Sequence, residues 1–531
     1  MALAPIIAAL PVVVGLVLLA GLRWPASRAM PACGAVTAVL ALFLWQVPAV
    51  RLAAAAVEAV VTTASILLIL FGALLLSGQL RAAGALATLQ GWIGALSEDR
   101  RVQVVLVAWL MGSFFEGAAG FGTPAALTGP LLVSLGFPPL QAVVLALIGD
   151  SVAVVFGAVG TPILVGLGEV LGPEPSVPTA AAVGVRAATF DLLSGTLMPL
   201  LLVLTLTMGT LGRRGLRGGL ECAPFALAIG FVHTSVAWLT ASVLGPELPS
   251  LVGPLAALFV AYVLLRKKWL LPRNVWRLPE DGARGGTGQS EEASPRALLR
   301  SAAPYLLLIT LLVLTRVRGL PLGAWLRSVE PGWRDLFGTG IDATIRPLYS
   351  PGLLLALVAA LVVPWFRLRA HTFVTSAGEA GRVVLGASVP LVAAVATVRV
   401  FVHSGVNAAN LQAMPVVLAT VAASHIGSLW PLVAPWLGAL GSFIAGSATF
   451  SNLLFGGVQL GVAEARGLSP VTVLALQTMG AAAGNMVCIH NVVAATAVVK
   501  LTGVEGEVIR RTVVPMAVYL LVAGALGLAF G

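Results

Sequence analysis

One acidic residue stands in an otherwise apolar, glycine-rich stretch, GSFFEGAAGFGTP at residues 112–124. The acid is Glu116, and a carboxyl group within an apolar segment is expected to stay neutral and protonated. A group that gains and loses a proton at membrane depth is suited to carrying protons. The stretch therefore predicts a proton carrier at Glu116, with a purely structural, hydrogen-bonded acid as the alternative.

The residues that follow this acid predict a broken helix. Gly117, Gly120 and Gly122 allow the backbone to turn, Thr123 adds a hydroxyl group, and Pro124 suits the first turn of the next helix. A helix that starts at such a break presents free N–H groups and the positive end of its dipole, which attract anions. We therefore expect this turn to bind a small anion.

A second copy of the motif, GSFIAGSATFSNL, begins at residue 441 and shares glycine, serine, alanine and phenylalanine positions with the first at a constant offset. Its turn carries hydroxyl and amide groups at Ser447, Thr449, Ser451 and Asn452. Together the two turns are suited to binding a small hydroxy acid. The alternative is that the small residues only permit close helix packing.

Composition indicates the surroundings in which these motifs lie. The 531 residues are 59% hydrophobic and only 10% charged, with a mean hydropathy of +1.00, which is typical of a membrane protein. The formal charge of +10 arises mainly in loops, where Lys and Arg orient the chain in the bilayer and do not indicate nucleic acid. The three cysteines have no metal or disulfide spacing.

Apolar segments long enough to cross the bilayer divide the chain into two halves. We predict a first membrane half at 1–265 with its motif at 112–163, a basic cytoplasmic linker at 266–298, and a second membrane half at 299–531 with its motif at 441–499. The clear spans are 3–22, 30–48, 56–80, 187–209, 222–243, 249–265, 299–316, 350–366, 383–404 and 512–530. The regions 102–171 and 429–499 are apolar but interrupted by Gly, Pro and polar residues.

The distribution of basic residues predicts that the two halves are inverted. Arg100 and Arg101 precede the first motif, whereas the counterpart 405–430 has no Lys or Arg; after the motifs the bias reverses, since 166–185 has none and 500–511 has three. Inverted repeats with interrupted helices are typical of secondary transporters. We predict an all-α polytopic membrane protein with about 12–14 membrane segments, broken helices or re-entrant hairpins, and both termini outside.

Six longer motifs resemble those of the bacterial lactate permease family, which also takes glycolate. They are EGAAGFGTP, GFPPL and FGAVGTPI in the first half, then GPELP at 245, GS-x-T-x-SN-x-LFG at 446 and GNMVCIHNVVAA at 484. The resemblance implies proton-coupled symport of L-lactate, and in relatives D-lactate or glycolate, across the bacterial inner membrane. This chain has Ala448 where one branch of the family has an acid and Asn485 where that branch has Lys, so it resembles a second branch.

Five further residues are candidates for the site. Asp150 is expected to face the same cavity as Glu116, and His490 is a candidate for proton relay because a histidine titrates near neutral pH. Asn485 and Asn491 offer amide donors for the substrate. Arg399 is suited to binding a carboxylate through its fork of donors, although its side chain reaches the membrane interface equally well.

The predicted function is thus proton-coupled transport of a small monocarboxylate, lactate or glycolate, with no cofactor and with the lipid bilayer as the surroundings of a monomer or homodimer. Sodium coupling stays open, since hydroxyl groups and backbone carbonyls also bind Na⁺. An anion channel or an intramembrane enzyme is a weaker alternative, because the sequence lacks GxSxG, HExxH and a Walker A lysine loop. We assign no role to His233, His371 or His425.

Overall fold

The structure is a computed structural model in which almost the whole chain is helical. It describes residues 4–18, 22, 24, 26–120, 123–171, 179–211, 215–278, 294–316, 321–501 and 503–531. Gly122 and residues 279–293 of the predicted linker 266–298 lie outside these residues. The described chain contains one small antiparallel hairpin, β1 Gly332–Trp333 with β2 Ala343–Thr344.

The helices follow the predicted apolar runs closely. Those of the first half are α1 Ala4–Leu16, α2 Ala26–Phe43, α3 Ala49–Ala82, α4 Ala85–Ala95, α5 Arg100–Val104, α6 Gly112–Ala118, α7 Thr123–Ser134, α8 Pro139–Gly149, α9 Gly157–Thr161, α10 Gly168–Leu171, α11 Ala180–Asp191, α12 Ser194–Leu211, α13 Gly215–Leu220, α14 Ala223–Leu244 and α15 Pro249–Lys267. Those of the second half are α16 Pro295–Arg316, α17 Pro321–Ser328, α18 Pro351–Phe366, α19 Ala370–His403, α20 Met414–Ile426, α21 Trp430–Ala445, α22 Ala448–Arg466, α23 Pro470–Gly484, α24 Ile489–Val498 and α25 Glu505–Phe530.

Local sequence explains where many of these helices begin. The side chains of Asp99, Thr179, Ser350 and Ser469 each accept a backbone N–H in the first turn of the helix they precede. Proline occupies the first turn of α8, α14, α15, α18, α21 and α23, where its missing N–H leaves no bond unmade. The sequence predicted neither α4 nor α20, because both fell within stretches treated as connectors.

The number of membrane segments agrees with the prediction when short helices are included. Within the described residues, eight helices are long and apolar enough to cross a membrane, and two bent helix pairs raise this to ten. Three shorter apolar helices, at Ser27–Phe43, Pro124–Ser134 and Pro351–Phe366, bring the total into the predicted range of 12–14. The prediction of an all-α polytopic membrane protein with broken helices is confirmed.

Helix contacts between the two halves occur in equivalent pairs: a contact of a first-half helix with a second-half helix is matched by the contact of their counterparts. Helix α18 packs on α3 while α2 packs on α19, and α16 packs on α4 while α1 packs on α20. Helices α3 and α19 are each 34 residues long and pack on each other. Such reciprocal contacts are what a two-fold axis between the halves produces.

The direction of α3 and α19 places this axis in the plane of the membrane. Gly78 of α3 lies against Ser376 of α19, whereas Glu58, twenty residues earlier, contacts His403 near the other end of α19. The two equivalent helices therefore run antiparallel. An axis along the membrane normal would leave equivalent spans parallel, so the halves are inverted repeats.

Each half contributes a broken hairpin to the centre of the molecule. In the first half, α5 continues through a π-helical segment, Val105–Met111, into α6; the chain then breaks before α7 and breaks again after α8. In the second half, α21 breaks before α22 and α23 breaks before α24. Helix α22 packs on the π-helical segment Pro162–Leu167 of the first half, and α24 packs on α7 in exchange. The central breaks of the two halves thus face each other.

Candidate substrate and proton site

A cavity of about 330 Å³ lies where the breaks of the two halves meet. The described residues that line it come from both repeats: Glu116, Val154, Gly157, Ala158, Thr161, Pro162, Gly446, Ser447, Ala448, Thr449 and Asn485. Four of them are residues that the sequence nominated for the site, namely Glu116, Ser447, Thr449 and Asn485.

Two carboxyl groups meet on the first-repeat side of the cavity. Glu116, only 3% exposed, lies in α6 one turn before the break, and the buried Asp150, at the end of α8, lies next to it. Two buried carboxyl groups this close repel each other when both are ionised, which favours a proton shared between them. Asp150 is not among the described residues that line the cavity, although the sequence predicted that it would face it.

A turn with left-handed backbone conformation lines the cavity beside this pair. Ala158, Val159 and Gly160 have φ values of 42°, 56° and 78°, a conformation that costs a β-branched residue such as Val159 about 1–3 kcal/mol. Close packing holds the turn, since Gly160 lies against the carbonyl of Pro246 and Gly120 lies against Ala158.

The turn ends where a new helix begins. Thr161 caps the π-helical segment Pro162–Leu167, whose proline occupies the first turn. The N-terminal end of this helix therefore lies at the cavity wall.

The second repeat contributes another helix start opposite this one. Gly446, with φ 76°, ends α21, and Ser447 is extended before α22 begins at Ala448. The first N–H groups of a helix have no partner within it, so this end of α22 offers free donors at the cavity. Asn485 lies beside it and accepts a hydrogen bond from Ser442 Oγ at 3.2 Å.

Two predicted substrate-binding residues of α22 hold the hairpin together. Ser451 Oγ donates to the carbonyl of Gly438 at 2.6 Å. Asn452 Nδ2 donates to the carbonyl of Pro162 at 2.9 Å and thus joins the two repeats. Both side chains are fully buried and neither lines the cavity. They support the walls of the site.

The predicted glycines Gly117 and Gly120 of the first motif pack against neighbouring backbone and do not line the cavity. A Cβ atom at Gly117 would lie 2.4 Å from the carbonyl oxygen of Ser250, so this glycine permits the close approach of α15. Gly120 packs on the left-handed turn, and Gly122 lies outside the described residues. Thr123 is the first residue of α7.

The two candidates that follow α23 lie at the edge of the second break. Asn491 is buried, and its Nδ2 lies 3.5 Å from the carbonyl oxygen of Asn485. His490 is exposed, and its Cβ lies 3.4 Å from the position a Cβ would take on Gly446. Both residues therefore adjoin the cavity-lining turn without lining the cavity.

Arg399 lies in a cluster of charged groups between α3 and α19. Its Nη1 is 3.3 Å from Glu58 Oε1, and His403 Nε2 lies 2.9 Å from the other carboxylate oxygen. Arg399 does not line the cavity. The sequence did not identify Glu58 as its partner, because 341 residues separate the two and no local pattern joins them.

We expect this cluster to stabilise the scaffold and to leave substrate affinity unchanged. E58Q removes the carboxylate that Arg399 and His403 share, whereas R399Q leaves Glu58 with His403. E58Q should therefore destabilise the fold by up to about 3–5 kcal/mol and R399Q by less, and the double variant, which removes both charges, should cost less than E58Q. Thermal unfolding midpoints in detergent test this order, and the KM for lactate should stay within about twofold. A large rise in KM for R399Q without loss of stability would instead support substrate binding by Arg399.

The sequence did not predict that the left-handed turn or Thr161 would form part of the site. One signal was available, because the tripeptide Gly-Thr-Pro occurs at 122–124 and again at 160–162, each time at the start of a helix. The conformation of Val159 has no such signal, since a β-branched residue disfavours it.

Comparisons with known proteins find relatives that cover most of this chain. A family model described as L-lactate permease matches residues 4–328 and 334–530. A putative L-lactate permease of Haemophilus influenzae is 29% identical over 95% of this chain and 94% of its own length. The L-lactate permease of Bacillus subtilis is 30% identical over 79% and 76%, and the glycolate permease GlcA of Escherichia coli is 29% identical over 93% and 90%. Among solved structures, the YdaH transporter of Alcanivorax borkumensis aligns over 87% of this chain and 84% of its own, with 17% identity and a TM-score of 0.46.

Proposed function

This chain belongs to the L-lactate permease family, and on that premise we propose that it carries L-lactate together with a proton across the bacterial cytoplasmic membrane. Glycolate is proposed as a further substrate because one relative is a glycolate permease, and D-lactate is proposed as a third. The termini are proposed to lie outside, as the distribution of Lys and Arg predicts.

The observation that supports proton coupling is the charge of the cavity wall. Among the described residues that line the cavity, Glu116 is the one ionisable side chain, and none is Lys, Arg or His. A substrate carboxylate about 4 Å from an ionised Glu116 would be repelled by about 4 kcal/mol at an effective dielectric constant of about 20. That energy corresponds to about a thousandfold in affinity. The anion should therefore bind when Glu116 is protonated.

Binding of substrate and proton then reinforce each other. If a proton on Glu116 raises the affinity for lactate, lactate must raise the affinity for the proton by the same factor. A lactate anion moving inward opposes the membrane potential by about 2.3 kcal/mol per 100 mV, and one accompanying proton cancels that charge. Asp150 serves in this proposal as the second carboxyl group that shares the proton.

The substrate carboxylate is proposed to bind at the start of α22. Free N–H groups of its first turn and the hydroxyl groups of Ser447 and Thr449 line the cavity there. Asn485 is positioned to hydrogen-bond the 2-hydroxyl group, and the dipole of the helix that starts at Pro162 adds positive potential from the other repeat. Lactate and glycolate share both of the groups recognised.

Reconstitution tests this proposal directly. Purified protein in liposomes should accumulate labelled L-lactate when the outside is made acidic, in the absence of Na⁺. Accumulation that requires a Na⁺ gradient would favour sodium coupling, flux that never exceeds equilibrium would indicate a channel, and chemical conversion of lactate would indicate an enzyme. Unlabelled D-lactate and glycolate, added in competition, rank the substrates.

A further inference from the structure

A row of polar atoms without partners follows the helix that leads to Glu116. Trp109, Ser113 and Glu116 are spaced by four and three residues, which places them along one face of this helix. All three are at most 3% exposed. Trp109 Nε1, Ser113 Oγ and Glu116 Oε2 have no hydrogen-bond partner among the described residues. We call these three residues the polar stripe.

Neighbouring helices add further atoms of the same kind. His233, on α14, packs its ring edge-on against Trp109 with 5.3 Å between the ring centroids, and its Nδ1 has no partner in the described part of the chain. Asp150 Oδ1, beside Glu116, likewise has no hydrogen-bond partner among the described residues. Five of the ten such buried atoms in the described residues thus belong to the stripe or to the two side chains that touch it.

Leaving these atoms without hydrogen bonds would lower the stability of the fold. A buried polar group that makes no hydrogen bond destabilises the fold, and several such groups lie here in a single region. Buried polar groups without protein partners are commonly satisfied by ordered water, which makes about three hydrogen bonds in such places. The rise from Trp109 to Glu116 is about 10 Å, a length that about three hydrogen-bonded water molecules span.

We propose that buried water fills the polar stripe and that His233 relays protons between the Glu116–Asp150 pair and the side of the membrane on which Arg101 lies. The proposal rests on the proposed function, in which that pair carries the coupled proton. The pair gives one proton to the nearest water, each water passes one proton on, and the last protonates the neutral Nδ1 of His233. The imidazolium then releases one proton from its other nitrogen to a further water molecule on the Arg101 side, so one proton enters and one leaves.

The position of the polar stripe indicates that protons move between the carboxyl pair and the Arg101 side of the membrane. Trp109 lies eight residues after Arg101, or about 12 Å along the helix, and therefore between the carboxyl pair and the Arg101 end. Arg101 forms ion pairs with Asp99 at 2.7 Å and with Glu221 at 3.4 Å. Glu221 lies just before α14 begins. His233 thus sits partway along the path from the pair to that end of α14.

Two transport assays separate a relay from a structural role. Net uptake driven by a pH gradient requires the proton to leave the pair, whereas exchange of lactate for lactate at equal pH does not. In H233F, which keeps an aromatic ring against Trp109, net uptake should slow by at least about tenfold while exchange stays within about twofold. S113A should show the same selective loss to a smaller extent.

The matched control is T472V, which removes a buried hydroxyl group that also lacks a partner among the described residues but lies on α23 outside the stripe. Both assays should be unchanged in it. Equal losses of exchange and net uptake in H233F, or unchanged net uptake, would overturn the relay. If H233F does not reach the liposomes, the ratio of the two rates in S113A decides in the same way. Wild-type protein without pH-driven uptake would instead refute the proposed function.

Discussion

Replacing Glu116 with glutamine should abolish accumulation of lactate against its gradient while lactate exchange continues. Glutamine resembles the protonated acid in shape and cannot ionise, so lactate should bind E116Q with an affinity that no longer depends on pH. A carrier that couples one proton to one lactate can hold about a tenfold lactate gradient per pH unit. In E116Q that ratio should fall to about one, as measured with labelled lactate in liposomes at an imposed pH gradient.

The control for this variant is E379Q, which alters an exposed acid on the scaffold helix α19. It should accumulate lactate as the wild type does. Uphill accumulation that persists in E116Q would remove Glu116 from the coupling role. The equivalent change D150N would then identify whether the other member of the pair carries the proton.

Adding one methyl group at Gly157 should disable the site sterically. A Cβ there would lie 2.0 Å from Glu116 Oε1, so Glu116 must move. The backbone tolerates alanine, since Gly157 has φ −62° and ψ 157°. Overpacking of this kind costs about 1–3 kcal/mol. If that strain opposes lactate binding in full, the affinity of G157A for lactate should fall by about 5- to 150-fold.

The matched control is G168A on the same broken segment, where a Cβ would meet nothing within 4 Å. Uptake measured over a range of lactate concentrations gives the KM of both variants, and thermal unfolding shows whether G157A is folded. A KM for G157A equal to that of the wild type would contradict the close contact between Gly157 and Glu116.

Apolar length and internal repetition made most of the fold predictable. A run of about twenty apolar residues has few alternatives to a membrane span, so spans such as 222–243 and 249–265 fall within about two residues of α14 and α15. The inverted arrangement followed from the placement of basic residues, and the antiparallel packing of α3 on α19 agrees with it. The bounds of the short connecting helices had no comparable signal.

The site was predicted less completely, because residue type does not fix which way a side chain faces. Ser447, Thr449, Ser451 and Asn452 are all polar and lie within six residues, yet the first two line the cavity and the last two bond to other helices. That division depends on the rotation of α22 against its neighbours. The partner of Arg399 was equally hidden, since tertiary packing alone brings Glu58 to it.

The two halves are related by symmetry but do not have the same shape. The first-half segment Pro139–Gly149 with Val152–Leu167 is bent by 46°, whereas its counterpart, α23 with α24, is interrupted at residues 485–488 but continues as a single span, Pro470–Val498. Exchanging these two shapes between the halves generates a second conformation of the same chain, turned upside down in the bilayer. We expect that conformer to present the cavity to the opposite compartment, so duplication of one ancestral half would have supplied both ends of the transport cycle.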